Sequence, residues 1–261
     1  MKPRQVSVSV VSHRQRALLA TLLSDLNAHC RETVTEILIT ENVKEGLDAL
    51  IDGSSIPVRI LENAAPKGFG ANHNHAFRLA RGEYFCVANP DVRFQQDPFE
   101  RLVDCVESRQ AALAAPRVVD QGGMTEDSAR LLPTPFGILR KALGLASKLD
   151  YPDSNAPFFP DWVAGMFMLF RREAFTEVDG FDEGYHLYYE DVDICARLRL
   201  SGHKVVLCPG AVVIHSARRE SHRDPHYFKW HLKSMLRFFT SPTYFKCRRS
   251  RRKRREDGPS G

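Results

Sequence analysis

The sequence predicts an α/β fold built on a mostly parallel sheet with helices on both faces. Three observations carry that expectation. Short runs rich in Val, Ile and Leu alternate with stretches of helical period from Gln5 to Val118. The length of 261 residues, 43% of them hydrophobic, suits one α/β domain or a domain with an appendage. Polar and acidic residues also recur just after the apolar runs, where a parallel sheet opens its ligand crevice.

Gln5–Val11 reads as the first strand. Its apolar positions alternate with Ser7 and Ser9 and run into His13-Arg14, which is the pattern of a strand and not of a secretory leader. A helix over Arg14–His29 follows, with Leu18, Leu19, Leu22, Leu23 and Leu26 on one face. Val34–Thr40 and Ile56–Leu61 read as strands, Gly68–Arg81 as a helix behind a glycine-rich entry, and Glu83–Ala88 as a buried strand. A helix near Pro98–Arg109 and a strand near Ala111–Val118 come next. Residues 120–160 are rich in Pro, Gly and Ser and carry no long period, so they are expected to form an irregular, partly mobile excursion with a helix near Phe136–Leu149. The apolar run Trp162–Phe170, a helix over Glu190–Ser201 closed by Gly202, and strand Lys204–Leu207 complete a domain expected to span residues 1–222. Residues 223–245 are expected to hold an amphipathic helix, Pro225–Thr240, and residues 246–261 a disordered polybasic tail.

The net charge of +5 is unevenly placed. Eight Lys and Arg between Lys246 and Arg255 outweigh Glu256 and Asp257, which leaves the body of the chain close to neutral. Such a tail suits an anionic membrane surface or nucleic acid, or is a solvated end. The longest apolar run, Val163–Phe170, is far short of the roughly 20 residues that span a bilayer. Six cysteines are scattered without a C-x-x-C pair, the pattern of reduced core thiols and not of a disulfide framework or zinc site.

Four clusters could carry chemistry. Asn89-Pro90-Asp91 follows the strand ending at Ala88; a carboxylate there can hold a cation on a diphosphate, though the same tripeptide is an ordinary turn. Gly180-Phe181-Asp182-Glu183 and Tyr188-Tyr189-Glu190-Asp191-Val192-Asp193 place acids at a helix start, where they either cap the helix or supply a general base. His215 ends the apolar run Ala211–Ile214 and is either a satisfied surface histidine or, if it meets Asp91, a metal ligand. In Asn63–His75 the glycines Gly68 and Gly70 permit close backbone approach to an anion, but neither Walker spacing nor the full G-x-G-x-x-G pattern is present.

Taken in order, Ser12-His13, Glu41-Asn42, Asn63 to Asn74, Asn89-Pro90-Asp91, Trp162-x-x-Gly165, Arg171-Arg172, Gly180–Glu183, Glu190–Asp193 and His215 resemble glycosyltransferase family 2. Within it the chain looks most like bacterial rhamnosyltransferases of O-antigen and related cell-surface polysaccharide assembly. The resemblance runs from about residue 5 to 240 and includes Trp230–Ser234. It implies a GT-A, Rossmann-like nucleotide-sugar-binding domain with a C-terminal amphipathic helix and basic tail. It also implies that Ser12, His13, Glu41, Asn42, Lys67, Gly68, Gly70, Asn74, Asn89 and Asp91 face the donor nucleotide. Asp91 and His215 would hold Mn2+ or Mg2+, Asp191 beside Glu190 would be the catalytic base, and Trp162, Gly165 and Glu190 would line the acceptor site. Two departures stand out. Asn89 replaces the first Asp of the usual Asp-x-Asp, which removes a charge from the metal site, and Glu41-Asn42 stands where Asp-Asn is usual.

The reaction so implied is an inverting transfer of L-rhamnose from dTDP-β-L-rhamnose to a sugar, such as GlcNAc, on a lipid diphosphate. The protein would then work as a peripheral protein at the cytoplasmic face of the plasma membrane, held to anionic lipid through residues 225–255. Alternative readings are a UDP- or GDP-hexose donor on the same scaffold, and a nucleotide- or nucleic-acid-binding module without turnover. The near-neutral body, Asp91 and the acids of 182–193 argue against nucleic acid.

Overall fold

Val6, Val8 and Val10 are fully buried along one face of strand β1 (Val6–His13), while Ser7 and Ser9 are buried on the other. A strand covered on both sides belongs in the middle of a layered sheet, and β1 lies there. The computed structural model describes residues 4–145, 147, 149–215 and 225–256. Helix α1 (Arg16–His29) follows β1 and turns Leu19, Leu22, Leu23 and Leu26 inward. Then come β2 (Val34–Val43), the short α2 (Asp48–Ile51), β3 (Val58–Glu62), α3 (Phe69–Leu79) and β4 (Tyr84–Ala88). β5 (Val92–Arg93), α4 (Phe99–Arg109) and β6 (Leu113–Val119) lead to an irregular stretch that holds β7 (Ala129–Arg130) and α5 (Pro135–Ala142). The chain continues through β8 (Trp162–Val163), β9 (Phe167–Arg171), α6 (Arg172–Glu177), α7 (Glu190–Leu200), β10 (Val205–His215), α8 (Pro225–Thr240) and α9 (Pro242–Glu256).

Eight strands form one sheet in the order β3-β2-β1-β4-β9-β6-β10-β5, and β7 pairs with β8 in a two-stranded ribbon. Strands β3, β2, β1 and β4 are mutually parallel, as are β6 and β10. β9 runs antiparallel between β4 and β6, and β5 antiparallel at the edge against β10. The expected mostly parallel α/β sheet is therefore present. β4 shows why its sequence is apolar throughout: Cys86 and Ala88 join the core under α1 and α4, while Phe85 and Val87 join the core under α3, α6 and α7.

The apolar run Trp162–Phe170 forms β8 and β9, separated by Ala164-Gly165-Met166. Two other stretches depart from the sequence reading. Lys204–Leu207 and Ala211–Ile214 are one long strand, β10, with an irregularity between Cys208 and Val212 that absorbs Pro209-Gly210. The polybasic run, expected as disordered, continues helix α9 to Glu256. Its ordered face explains this: Tyr244 is buried, Cys247 packs against the core beside α7, and Arg251 pairs with Asp161. The expected boundary at 222–223 and residues 257–261 lie outside the described residues. Among the described residues no helix is long and apolar enough to cross a membrane.

Candidate active site

The carboxyl ends of β1, β2 and β3 are joined by a net of side-chain amides. Asn42, at the end of β2, accepts the backbone N–H of Lys67 at 2.8 Å and donates to its carbonyl at 3.1 Å, so Lys67 is held through its backbone. Asn63 donates to Asn42 at 2.9 Å and to Asn72 on α3 at 2.7 Å, and His13 Nδ1 lies 3.3 Å from the Asn42 amide. Glu41 is buried and spends one carboxylate oxygen on the N–H groups of Glu45 and Gly46, at 2.7 and 2.6 Å. Glu45 in turn receives Ser12 Oγ and the N–H of Arg16. Ser12, His13, Glu41, Asn42 and Lys67 therefore do converge, but much of their hydrogen-bonding capacity fixes the loops around the crevice.

Gly68, Gly70 and Asn74 serve a different contact. A Cβ on Gly68 would lie 2.7 Å from the His186 carbonyl, and one on Gly70 2.7 Å from Phe181 Cβ. Both glycines let α3 press against the loop 180–189, whose His186 carbonyl accepts the Phe69 N–H at 2.9 Å. Asn74 pairs doubly with the Phe181 backbone, donating at 2.9 Å and accepting at 2.9 Å, and reaches Glu183 at 3.1 Å. The structure places these three residues against that loop.

That loop ends at the acids. Tyr188 and Tyr189 both have φ of 68°, a left-handed conformation that bulky residues rarely hold, and consecutive cases mark stored backbone strain. Aromatic contacts hold them there: Tyr188 and Tyr189 against His231, and Tyr189 against Phe238 and Phe239, all of α8. Helix α7 begins directly after with Glu190 and Asp191. Asp191 is partly open to solvent and accepts N–H groups from Gly165 at 3.0 Å and from Val192 at 2.8 Å. Burial pushes its carboxyl up, against those two bonds and the Arg130 guanidinium. Glu190 is 5% exposed with one oxygen unpartnered; burial, then the Asp191 charge, push it well above the usual carboxylate range. A carboxylate of raised pKa, open on one side and oriented by backbone donors, can accept a proton from a hydroxyl.

Gly165 donates its N–H to Asp191, and Met166 beside it accepts the N–H of Asn89 at 2.9 Å. Consecutive residues of the β8–β9 loop thus tie the acids of α7 to the turn after β4. Trp162 is buried, donates to the Leu131 carbonyl at 2.8 Å, and carries Arg130 over its ring at 5.3 Å. Arg130 had no sequence signal, because β7 is only two residues long.

At the far side of the sheet, β5 and β10 pair His215 with Val92, and this brings Asp91 Oδ2 to 3.4 Å from His215 Nε2. The other ring nitrogen, Nδ1, lies 2.9 Å from Glu126 Oε2. Burial alone would lower the His215 pKa; the two carboxylates outweigh it and raise it. Asp91 Oδ1 is buried without a partner. An orphaned carboxylate oxygen beside an imidazole nitrogen suits a divalent cation. No group of three or more ligating side chains gathers on one point among the described residues, so other ligands of such a cation would come from substrate or water. Glu126, in the irregular stretch, gave no sequence signal.

Residues 7–178 match the glycosyl transferase family 2 domain, and residues 153–241 match glycosyltransferase like family 2. The chain belongs to glycosyl transferase family 2. It is a glycosyltransferase of rhamnosyltransferase-like sequence. Rhamnosyltransferase WbbL of Escherichia coli is 29% identical over 254 residues, covering 89% of this chain and 92% of WbbL. The N-acetylglucosaminyl-diphospho-decaprenol L-rhamnosyltransferase of Mycobacterium tuberculosis is 27% identical over 251 residues, covering 84% and 78%. Solved structures agree in fold. GalNAc-T7 with UDP, GalNAc and Mn2+ superposes with a TM-score of 0.70 at 17% identity, covering 91% of this chain, which spans 48% of that structure's length. The Pyrobaculum calidifontis mannosyltransferase PcManGT, with GDP-Man and Mn2+, gives 0.61 at 16% identity, covering 94% and 68%.

Proposed function

We propose that this family member transfers L-rhamnose from dTDP-β-L-rhamnose to a sugar, such as GlcNAc, on a lipid diphosphate, with inversion at the anomeric carbon. The observation that carries it is Asp191: a carboxylate of raised pKa, held by Gly165 and Val192 and half-buried at the start of α7. Asp191 takes the proton from the acceptor hydroxyl as that oxygen attacks the face opposite the leaving diphosphate. Glu190, when uncharged, spares Asp191 a neighbouring negative charge. Trp162 and Gly165 form the acceptor wall. Ser12, His13, Glu41, Asn42 and Lys67 border the nucleotide pocket, while Gly68, Gly70 and Asn74 act on it through the loop 180–189.

Asp91 and His215 would hold a divalent cation, which supplies charge neutralisation to the departing nucleotide diphosphate. The two named rhamnosyltransferase relatives support the donor, and the name of the mycobacterial one supports a GlcNAc-diphospho-lipid acceptor. Phe228, Leu232 and Leu236 form an exposed apolar stripe at four-residue spacing on α8, with Lys229 and Lys233 beside it. That stripe and the basic α9 suit a peripheral position at an anionic membrane face, on the cytoplasmic side where nucleotide sugars occur.

The test is a donor panel of dTDP-rhamnose, UDP-GlcNAc, UDP-galactose and GDP-mannose with a GlcNAc-diphospho-lipid analogue, reading nucleotide release and product mass. Transfer from dTDP-rhamnose that is lost in Asp191→Asn is expected. Transfer from a UDP or GDP sugar alone would replace the donor; transfer that survives in Asp191→Asn would remove the base.

A further inference from the structure

We propose that Glu126 is a positioning residue for the cation site: it holds His215 through Nδ1 so that Nε2 is presented, as a ligand, beside Asp91. This inference rests on the reading of Asp91 and His215 as cation ligands. Three adjacent backbone segments make the arrangement. The β5–β10 pairing sets His215 across from Val92, next to Asp91. The β6–β10 pairing sets Ile214 across from Val119. From Val119 the chain reverses in a tight hairpin, bridging Val119 to Thr125, and the Glu126 N–H returns to the Val118 carbonyl at 2.9 Å. Asp120 stiffens the turn by accepting the N–H groups of Gly122 and Met124, each at 2.9 Å. Glu126 is thereby delivered to the flank of His215, with Oε2 at 2.9 Å from Nδ1.

The chemistry follows from that order. Glu126 accepts the Nδ1–H, which leaves the lone pair on Nε2, facing Asp91. A carboxylate behind an imidazole also makes the ring a stronger donor. Asn89 takes a negative charge out of the site relative to an Asp-x-Asp pair, and Glu126 returns one through the ring without touching the cation. The side chains of Asp91, His215 and Glu126 are 16%, 12% and 28% exposed, shielded enough for such coupling to register.

The experiment is a Mn2+ titration of the full chain, with dTDP present, read by the electron paramagnetic resonance of free Mn2+. It compares wild type, Glu126→Gln, Glu126→Asp and His215→Ala. The Gln variant is isosteric and sits on a surface hairpin, and its melting temperature is measured alongside. Glu126→Gln is expected to weaken Mn2+ binding by about 10-fold, within the range for loss of an outer partner, with unchanged dTDP binding in EDTA. Glu126→Asp is expected to recover part of the loss. Independently of any variant, ring 15N shifts of His215 in the Mg2+-loaded protein are expected to place the proton on Nδ1. Wild-type binding with Glu126→Gln unchanged overturns the proposal while leaving the cation site standing; a proton on Nε2 overturns both the proposal and His215 as a ligand. Wild-type protein that takes up no Mn2+, or that loses none in His215→Ala, overturns the cation reading and the proposal with it.

Discussion

Asp191 accepts the backbone N–H of Gly165 at 3.0 Å, so the first turn of α7 is fastened to the loop between β8 and β9. The next residue of that loop, Met166, accepts the N–H of Asn89. A displacement of this one loop would move Asp191 and the turn carrying Asp91 together.

Replacing Asp191 by Asn keeps an acceptor for the Gly165 N–H and removes the base. Transfer should fall about 10²–10⁴-fold, while donor KM and melting temperature hold. Initial rates with saturating donor check this; a loss expressed only in donor KM would make Asp191 a binding group.

The pH dependence follows from the same pair. Burial raises the Asp191 carboxyl, so transfer should fall on acidification at a higher pH than an ordinary aspartate would give. Glu190 is raised further and is still uncharged as Asp191 titrates, so Glu190→Gln should leave that limb in place. The stability sign is fixed too. A carboxyl raised in the folded state costs nothing below its unfolded pKa, about 4.3, and costs progressively more as pH climbs above it. Urea denaturation should find Glu190→Gln more stable than wild type at neutral pH, with the difference gone near pH 4.

Asn74 separates two roles by measurement. Asn74→Ala leaves the N–H and C=O of Phe181 unpaired in a buried setting, which should cost about 1–3 kcal/mol. Gly180→Ala should also destabilise, because φ is +61° and the added Cβ would lie 2.5 Å from Asn74 Oδ1. If Asn74 were chiefly a nucleotide ligand, dTDP affinity would drop with stability intact; the expected outcome is the reverse.

The α8 stripe is tested on vesicles. Changing Phe228, Leu232 and Leu236 to Ser should weaken sedimentation with phosphatidylglycerol vesicles and leave the fold intact, since these residues are 71%, 42% and 55% exposed. Raising salt should weaken binding of both proteins, through the lysines and α9.

The parts of this fold legible in sequence were those with a one-sided or two-sided apolar pattern. Val6–Val10, Tyr84–Ala88 and the Leu face of α1 needed nothing else. Strand direction was not legible: β9 is as apolar as β4, and only its pairing shows it reversed. Nor was α9, whose basic surface hides a narrow inner face of Tyr244, Cys247 and Arg251 that exists only once α7 and Asp161 are in place. The site divides the same way. Asp91, Asp191 and His215 stood out by position after a strand or at a helix start. Glu126 and Arg130 have no local pattern, and the contacts of Gly68 and Gly70 with His186 and Phe181 join residues more than a hundred positions apart.

Strand β10 is an interior strand, between β6 and β5, and the last in chain order among the described residues. On a ribosome adding about 5–20 residues per second, β10 trails β5 by on the order of ten seconds. Throughout that interval β5 lacks its sheet neighbour and Asp91 lacks His215. The nascent chain can therefore pair β1 to β4 early, but it acquires the Asp91–His215 pairing only once β10 has been made.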